Sequence, residues 1–515
     1  MALSTGGTDL VNNAAAVSNQ SVAVVNFLWD GATPTDETTN LMSLSINRMM
    51  SAPRAGQAAM GRGVAATATV TLANPDGRYS PENSSSPLFS DIGTNKAMTT
   101  EVRIDLGYND DIGGDEVLSR FTGRVDSPAI GGPRAPTVSF SLIGFTEARL
   151  LEHRSRIIMQ NDQYADQVIG TLLDEANVPG GDQDLDTGFH RIPFYWIEAE
   201  DVFRQCQLIA EADAGFFYVK EDGDAVFENV YHWLTNADHS TSVITLDESM
   251  YMTASLGYEQ VQLHNSVRVP YQPRRAGEGT VLFQLNQTLV IDPGETKTVN
   301  WRLKYPAVSI DTLIAGDHYI AIDAGGGDRS ADIAVTVTAF AQSVDVQIVN
   351  SNATYAVEFR EFRIEGSPLV GGPTDYVEKD ASGSSIGDPT ASGIVKRLEV
   401  GENPAIQTEA QADMLASIAL DRSDDPRQTL TLAGVPAIPY LQLGDRVTVT
   451  VTEFGISSVD YFVTGITPEQ YGPGPLYEMG LTLLEASSFY QFTAAQYFVL
   501  NTDAPSAGTS DRVFY

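Results

Sequence analysis

The stretch VAATATVTLANPDGRYSPENSSSP (64–87) decides how this chain reads. Its first part alternates aliphatic residues with threonine, the period-two pattern of a half-buried strand. The alternation stops at Asn74-Pro75-Asp76-Gly77, where each residue favours a turn for its own reason. Proline fixes φ, Asn and Asp bond their own backbone, and glycine tolerates the left-handed region. Working outward, strands of the same kind are predicted at SVAVVNFLWD (21–30), TEVRIDLGY (100–108), EVLSRFTGRVDSP (116–128) and PTVSFSLIGF (136–145). Turn clusters separate them at NDDIGGDE (109–116) and GGPRAP (131–136). This is the pattern of a β-domain.

The character changes near residue 150. QYADQVIGTLLDEANV (163–178) places Val168, Leu172 and Ala176, with Ile169 and Leu173, on one helical face. A second helix is predicted over about 198–213, with Val202, Phe203, Cys206, Ile209 and Ala210 on its apolar side and Gly215 as its C-cap. FFYVK (216–220), EDGD and AVFENV (225–230) read as a β-hairpin. From 277 to 370 the strands TVLFQLNQTLVI, TKTVNWRLKY, ADIAVTVTAFA, SVDVQIVNS and YAVEFREFRIEG follow without helix signal, as in a two-sheet sandwich. One helix, QTEAQADMLASIALDRS (407–423), precedes a last set of strands: RQTLTLAG (427–434), DRVTVTVTEFG (445–455), SVDYFVTGITPEQ (458–470) and YEMGLTLLEAS (477–487).

A length of 515 residues exceeds what one core usually serves, so several domains are expected. Thirty-one basic against 67 acidic residues leave a formal charge of −36, which disfavours nucleic-acid binding through a basic footprint. Plain solubility explains the same charge. The single Cys206 cannot close an intrachain disulfide, and its apolar neighbours suit an inert buried thiol. The first 20 residues lack the charged and apolar regions of a signal peptide, and no apolar run is long enough to span a bilayer as a helix.

Chemistry is sparse in this pattern. The histidines His153, His190, His232, His239, His264 and His318 form no HxH or HExxH pair, and GxSxG, GxxxxGK[ST] and GxGxxG are missing. No catalytic, cofactor-binding or metal residue is therefore assigned. Three acidic loops could offer oxygens to calcium: Asn109, Asp110, Asp111, Asp115 and Glu116; Glu221, Asp222 and Asp224; Asp328 and Asp332. Asp and Gly are equally the ordinary residues of β-turns, and none of these loops has the twelve-residue calcium pattern, so turn chemistry is the expectation. Tyr195, Trp196, Tyr231, Trp233 and Trp301 could line a sugar cleft, but aromatics at alternating strand positions more often fill cores.

The order of motifs resembles that of baseplate-hub or tail-tip proteins of tailed bacteriophages. TATVTLANPDGRYSPENSSSPL (67–88) is similar to the family's T-L-x-N-x-D-G-R-Y-x-P stretch, and Phe121, Gly123 and Val125 to its F-x-G-x-V strand. VSFSLIGFTEARLLEHR (138–154) resembles the continuation, with Phe145-Thr146 where an acidic residue is usual. QLIAEADAGFFYVKEDGDAVFENV (207–230) is similar to the second-domain helix and hairpin, and VQLHNSVRV (261–269) to the strand leading back toward the second barrel. Ala412, Leu415, Ala416 and Arg422, then Leu443-Gly444-Asp445-Arg446-Val447, resemble the second barrel. Together the matches span about 350 residues, and their order carries more than any one of them.

The resemblance implies a mainly β, multidomain chain. It would comprise an N-terminal arm (1–20), a first antiparallel hub β-barrel (21–150), a small α+β domain (151–250) and a strand returning to the barrel region (251–276). An inserted β-sandwich (277–370), a linker (371–406), a helix plus second hub barrel (407–490) and a C-terminal arm (491–515) would follow. It further implies a non-enzymatic, cofactor-free virion protein made in the host cytoplasm. Such hubs are homotrimers whose two barrels per chain make a pseudo-sixfold ring between tail tube and tip. Partners would be the distal tail or tube ring, the tape-measure protein and a tail fibre or central tip protein, with DNA only in transit. Three copies would carry 3 × −36 = −108, a charge suited to a channel that DNA must not stick to. The C-terminal peptidase or lysozyme domain of some hubs is not expected here. Two other readings are a tail-tip protein that binds host-surface sugar through the sandwich, and a β-rich glycoside hydrolase with paired carboxylates.

Overall fold

A computed structural model describes residues 20–50, 63–92, 100–110, 114–131, 136–258, 263–382, 387–424, 428–472 and 477–486. Apart from Gln20, the two expected arms lie outside the described residues. The chain is mostly β-strand, and the strands of 21–145 form as read: Ser21–Leu28, Gly63–Ala73, Glu101–Asp110, Gly114–Ile130 and Thr137–Gly144.

Pairing gives the molecule its frame. One antiparallel path runs Gln428–Pro436, Tyr477–Glu485, Ile456–Tyr471, Leu41–Met50, Gly63–Ala73, Thr137–Gly144, Gly114–Ile130, Glu101–Asp110 and Ser21–Leu28. The strands of the two expected barrels therefore belong to one 13-stranded sheet. Leu41–Met50 joins the halves, pairing with Gly63–Ala73 on one side and with Ile456–Tyr471 on the other. A single apolar core follows the sheet through both halves, from Val25, Phe27 and Phe140 to Val449, Phe462 and Leu481.

The quoted motif closes a loop over this core. Asn74 Oδ1 accepts the Tyr79 N–H at 3.1 Å, and Gly77 takes φ +70°, open to glycine at no steric cost. The turn thereby delivers Tyr79 to Glu37, whose carboxylate also receives Trp29, Asn40 and Arg78. Gly123 of the F-x-G-x-V strand is fixed by close packing: a Cβ there would lie 2.2 Å from the Phe121 ring and 2.6 Å from Ile143 O.

The middle unit packs helices Ala165–Glu175 and Val202–Ala212 against the hairpin Phe216–Val219 and Ala225–Glu228. Ala214, not Gly215, takes the left-handed conformation after the second helix, at φ +57°. Gly215 is needed for another reason, since a Cβ there would sit 2.4 Å from Glu228 O. Two further stretches join this core. The segment read as a linker contains strands Asp375–Asp380 and Arg397–Glu399, which flank Ser266–Tyr271 in a small sheet. Helix Glu409–Ser423 lays Ala412, Leu415, Ala416 and Ala419 into the middle core instead of joining the strands that follow it. Gln411 anchors it, donating to Ala212 O at 3.0 Å.

Residues 274–371 form the sandwich. Thr280–Gln284, Leu289–Ile291, Ala307–Ile310 and Tyr319–Ile322 all pair with the long strand Val357–Gly371. The facing sheet is Thr296–Arg302, Ser343–Asn350 and Ile333–Ala339. Phe359, Phe362 and Ile364 meet Val344, Val346 and Ile348 between them. The sandwich docks on the middle unit through Arg156, which reaches Asp345 at 3.3 Å and covers the Phe340 ring at 4.3 Å.

Candidate functional site

Where the two halves of the sheet and the middle unit meet, the interior holds four charges. Leu44, Ile46, Arg48 and Met50 face inward from the joining strand. Arg48 donates to Glu469 Oε2 at 3.0 Å and to Glu221 Oε2 at 2.9 Å. Arg120, fully buried in Gly114–Ile130, grips Glu469 with two donors at 2.9 and 3.1 Å. Its third nitrogen binds Pro439 O and Leu441 O. Tyr477 completes the Glu469 shell with a hydroxyl at 2.8 Å. Glu469 thus accepts two hydrogen bonds on each oxygen, the full capacity of a carboxylate.

Two guanidiniums and two carboxylates leave no net charge inside. Burial alone would raise the Glu469 carboxyl, but Arg120 and Arg48 outweigh it and hold it below the usual range. The cluster pins strands 41–50, 114–130 and 456–471 and the 221–224 turn to one point. Its chemistry is that of a structural junction.

Another buried acid stands outside the junction. Glu147, in helix Phe145–Glu152, accepts the Ala66 N–H at 3.1 Å through Oε1, while Oε2 has no hydrogen-bond partner. Burial pushes this carboxyl up to about 7.

The acidic loops resolve as follows. Glu221 belongs to the junction, and Asp222 accepts the Asp224 N–H. Asp328 accepts the Ser330 N–H, and Asp332 accepts from Asn352. These carboxylates serve turn geometry. In the 109–116 loop, Asp111 and the side chains of Asp110 and Asp115 lie outside the described residues. Cys206 is fully buried, and burial raises its thiol far above the ordinary range.

Of the aromatics weighed for a sugar cleft, Tyr195 and Trp233 are buried and Trp196, Tyr231 and Trp301 are half-buried against neighbouring rings and side chains. Trp301 stacks on Phe283 at 4.6 Å and meets Phe362 in the sandwich core. Trp233 stacks on Phe216 at 4.6 Å, Tyr195 is buried, and Trp196 sits under Arg274 at the sandwich junction. Tyr231 packs edge-on against Phe189.

The histidines are scattered, with one exception. His153 caps a helix, His190 lies 3.6 Å from Asp213, His264 is buried, and His318 accepts the Ile314 N–H. His232 and His239, seven positions apart and unpaired by any motif, come together with Glu228. Sequence reading passed over this group because the three residues sit on three separate short elements.

Among described residues, no helix is long and apolar enough to cross a membrane. No protein-family model matches the sequence, and no curated protein matches it. Solved structures do. A tail protein from Neisseria meningitidis MC58 superposes with a TM-score of 0.49 at 11% identity, covering 91% of this chain and 98% of that one. The 43 kDa tail protein of prophage MuSo2 from Shewanella oneidensis gives 0.48 at 12% identity, covering 92% and 99%. Prophage tail protein gp18 from Listeria monocytogenes EGD-e gives 0.41 at 8% identity, covering 89% and 94%. All three are tail proteins, two of them from prophages.

Proposed function

We propose that the chain is a structural component of a phage-type tail tip, a hub that assembles as a homotrimeric ring. The observation that carries this reading is the single sheet that runs through both halves of the chain. A hub must present two similar β-surfaces per subunit at a fixed angle, so that three subunits mimic six. A continuous sheet locked by a neutral ionic junction fixes that angle without a hinge. The order of the motifs 67–88, 116–128, 207–230 and 443–447 supports the same reading.

In this reading each half supplies one barrel-like wall of the ring, and the ring joins a sixfold tube to a threefold tip. Its lumen passes the tape-measure protein and then DNA. The charge of −36 per chain suits such a lumen, because like charges repel across a narrow channel. The virion tail is then its location, and neighbouring tail proteins are its partners. The junction and the acidic turns hold structure together, which supports a mechanical role. Light scattering tests the assembly: three chains of 55.5 kDa give about 167 kDa.

A further inference from the structure

We propose that Glu228, His232 and His239 form a binding site for a divalent transition-metal ion of the zinc type. One donor atom from each lies within 4.8 Å of the other two. A tetrahedral zinc with bonds of about 2.0–2.1 Å holds its ligands roughly 3.4 Å apart, so a closure of about an ångström completes the set. His232 Nε2 already stands 3.5 Å from Glu228 Oε1, and the two imidazole rings lie 5.1 Å apart.

The surroundings are those a metal ligand needs. His232 Nδ1 meets Asp186 Oδ2 at 2.7 Å, which turns Nε2 toward Glu228. His239 Nδ1 lies 3.9 Å from Asp445 Oδ1, too far for a hydrogen bond, so of the two imidazoles it is His232 that a carboxylate holds. Glu228 is oriented from behind by the Tyr218 hydroxyl on Oε1 at 2.7 Å and the Trp233 indole N–H on Oε2 at 2.6 Å. Each Glu228 oxygen keeps a lone pair for an ion. Asn236 Nδ2 sits 3.1 Å from His232 Nε2, and an ion would displace it. Glu228 and His239 are buried, so an ion here would be held away from bulk water.

The donors also explain what the ion would do. Glu228 ends the middle-unit hairpin, and His232 and His239 lie on the short helices His232–Thr235 and Ala237–Ser240. Asp445 belongs to the Gly444-Asp445 turn, which packs beside this group: a Cβ at Gly444 would lie 3.3 Å from His239 Cε1. The ion would fasten the two short helices to the hairpin of the middle unit, beside the Gly444-Asp445 turn. Two imidazoles and a carboxylate select zinc or its transition-metal neighbours over calcium or magnesium.

The test uses the full chain stripped with chelator and dialysed against ZnCl2, with metal per chain read by mass spectrometry. One zinc per chain and a raised melting temperature with Zn2+ but not Mg2+ are expected. Co2+ should give the intense visible absorption of a four-coordinate site. Glu228→Gln and His239→Gln should abolish stoichiometric uptake, and Asp186→Asn should weaken it about 10- to 100-fold. His153→Gln should leave uptake unchanged. No stoichiometric uptake by the unaltered chain, six-coordinate Co2+ spectra, or uptake indifferent to Glu228 and His239 would each overturn the proposal. The Co2+ spectrum of the unaltered chain decides even if a variant misfolds.

Discussion

Arg48 and Glu469 stand 421 residues apart in the chain and meet at 3.0 Å in its interior. Their strands pair directly, Ile46 opposite Glu469 and Arg48 opposite Ile466. The contact closes a loop that contains the middle unit and the whole sandwich, so the two halves of the sheet join only once the rest of the chain has been made.

Removing Glu469 should therefore be severe. Glu469→Ala leaves buried Arg120 without its carboxylate and Arg48 with Glu221 alone, and a broken buried ion pair costs roughly 3–5 kcal/mol. Denaturant titration should show the loss. Because the folded Glu469 carboxyl lies below its usual range, its contribution is present above the unfolded value of about 4.3. It fades as pH falls toward the folded value.

Glu147 should behave in the opposite sense. Its folded carboxyl lies at about 7, above the unfolded value. The stabilisation it gives is full below the unfolded value of about 4.3 and is lost as pH rises toward 7. Unfolding free energies from pH 5 to 8 should therefore fall more steeply for the native chain than for Glu147→Gln, by about 3 kcal/mol over the span. Parallel curves for the two proteins would contradict this.

Cys206 should not react with a thiol reagent in the folded chain and should react once denaturant unfolds the middle unit. Burial and the raised thiol both withhold the thiolate. Labelling timed against loss of circular dichroism checks it.

The sandwich core rests on Phe362, which is 1% exposed and touches Trp301, Tyr319 and Phe359. Phe362→Ala should cost roughly 3–5 kcal/mol. Calorimetry should show the loss in the sandwich while the Glu469 junction keeps its own transition.

Strands with clean alternation were readable: Gly63–Ala73 and Ser343–Asn350 fall where period two puts them. Leu41–Met50, the strand on which the architecture turns, was not. Its inward series Leu44, Ile46, Arg48, Met50 is broken by an arginine, which looks solvent-facing until Glu469 and Glu221 are known to be beside it. The supposed linker hid strands for a related reason. Asp375–Asp380 is an edge strand of mixed polarity with four of its six residues exposed, and Arg397–Glu399 is only three residues long. The His232 and His239 cluster was invisible because its spacing belongs to no element; the fold, not the sequence, makes them neighbours. Helix Glu409–Ser423 was placed correctly along the chain, but its partners lie far away in sequence, at Ala212 and the Ser266–Tyr271 strand.

The most direct measurement is a cryo-electron microscopy reconstruction of the purified chain, alone and with its distal tail ring partner. The expected result is a threefold ring of about 167 kDa whose open lumen is lined by net acidic side chains. Single or paired copies under both conditions, or a lumen lined by net basic residues, would contradict the hub reading.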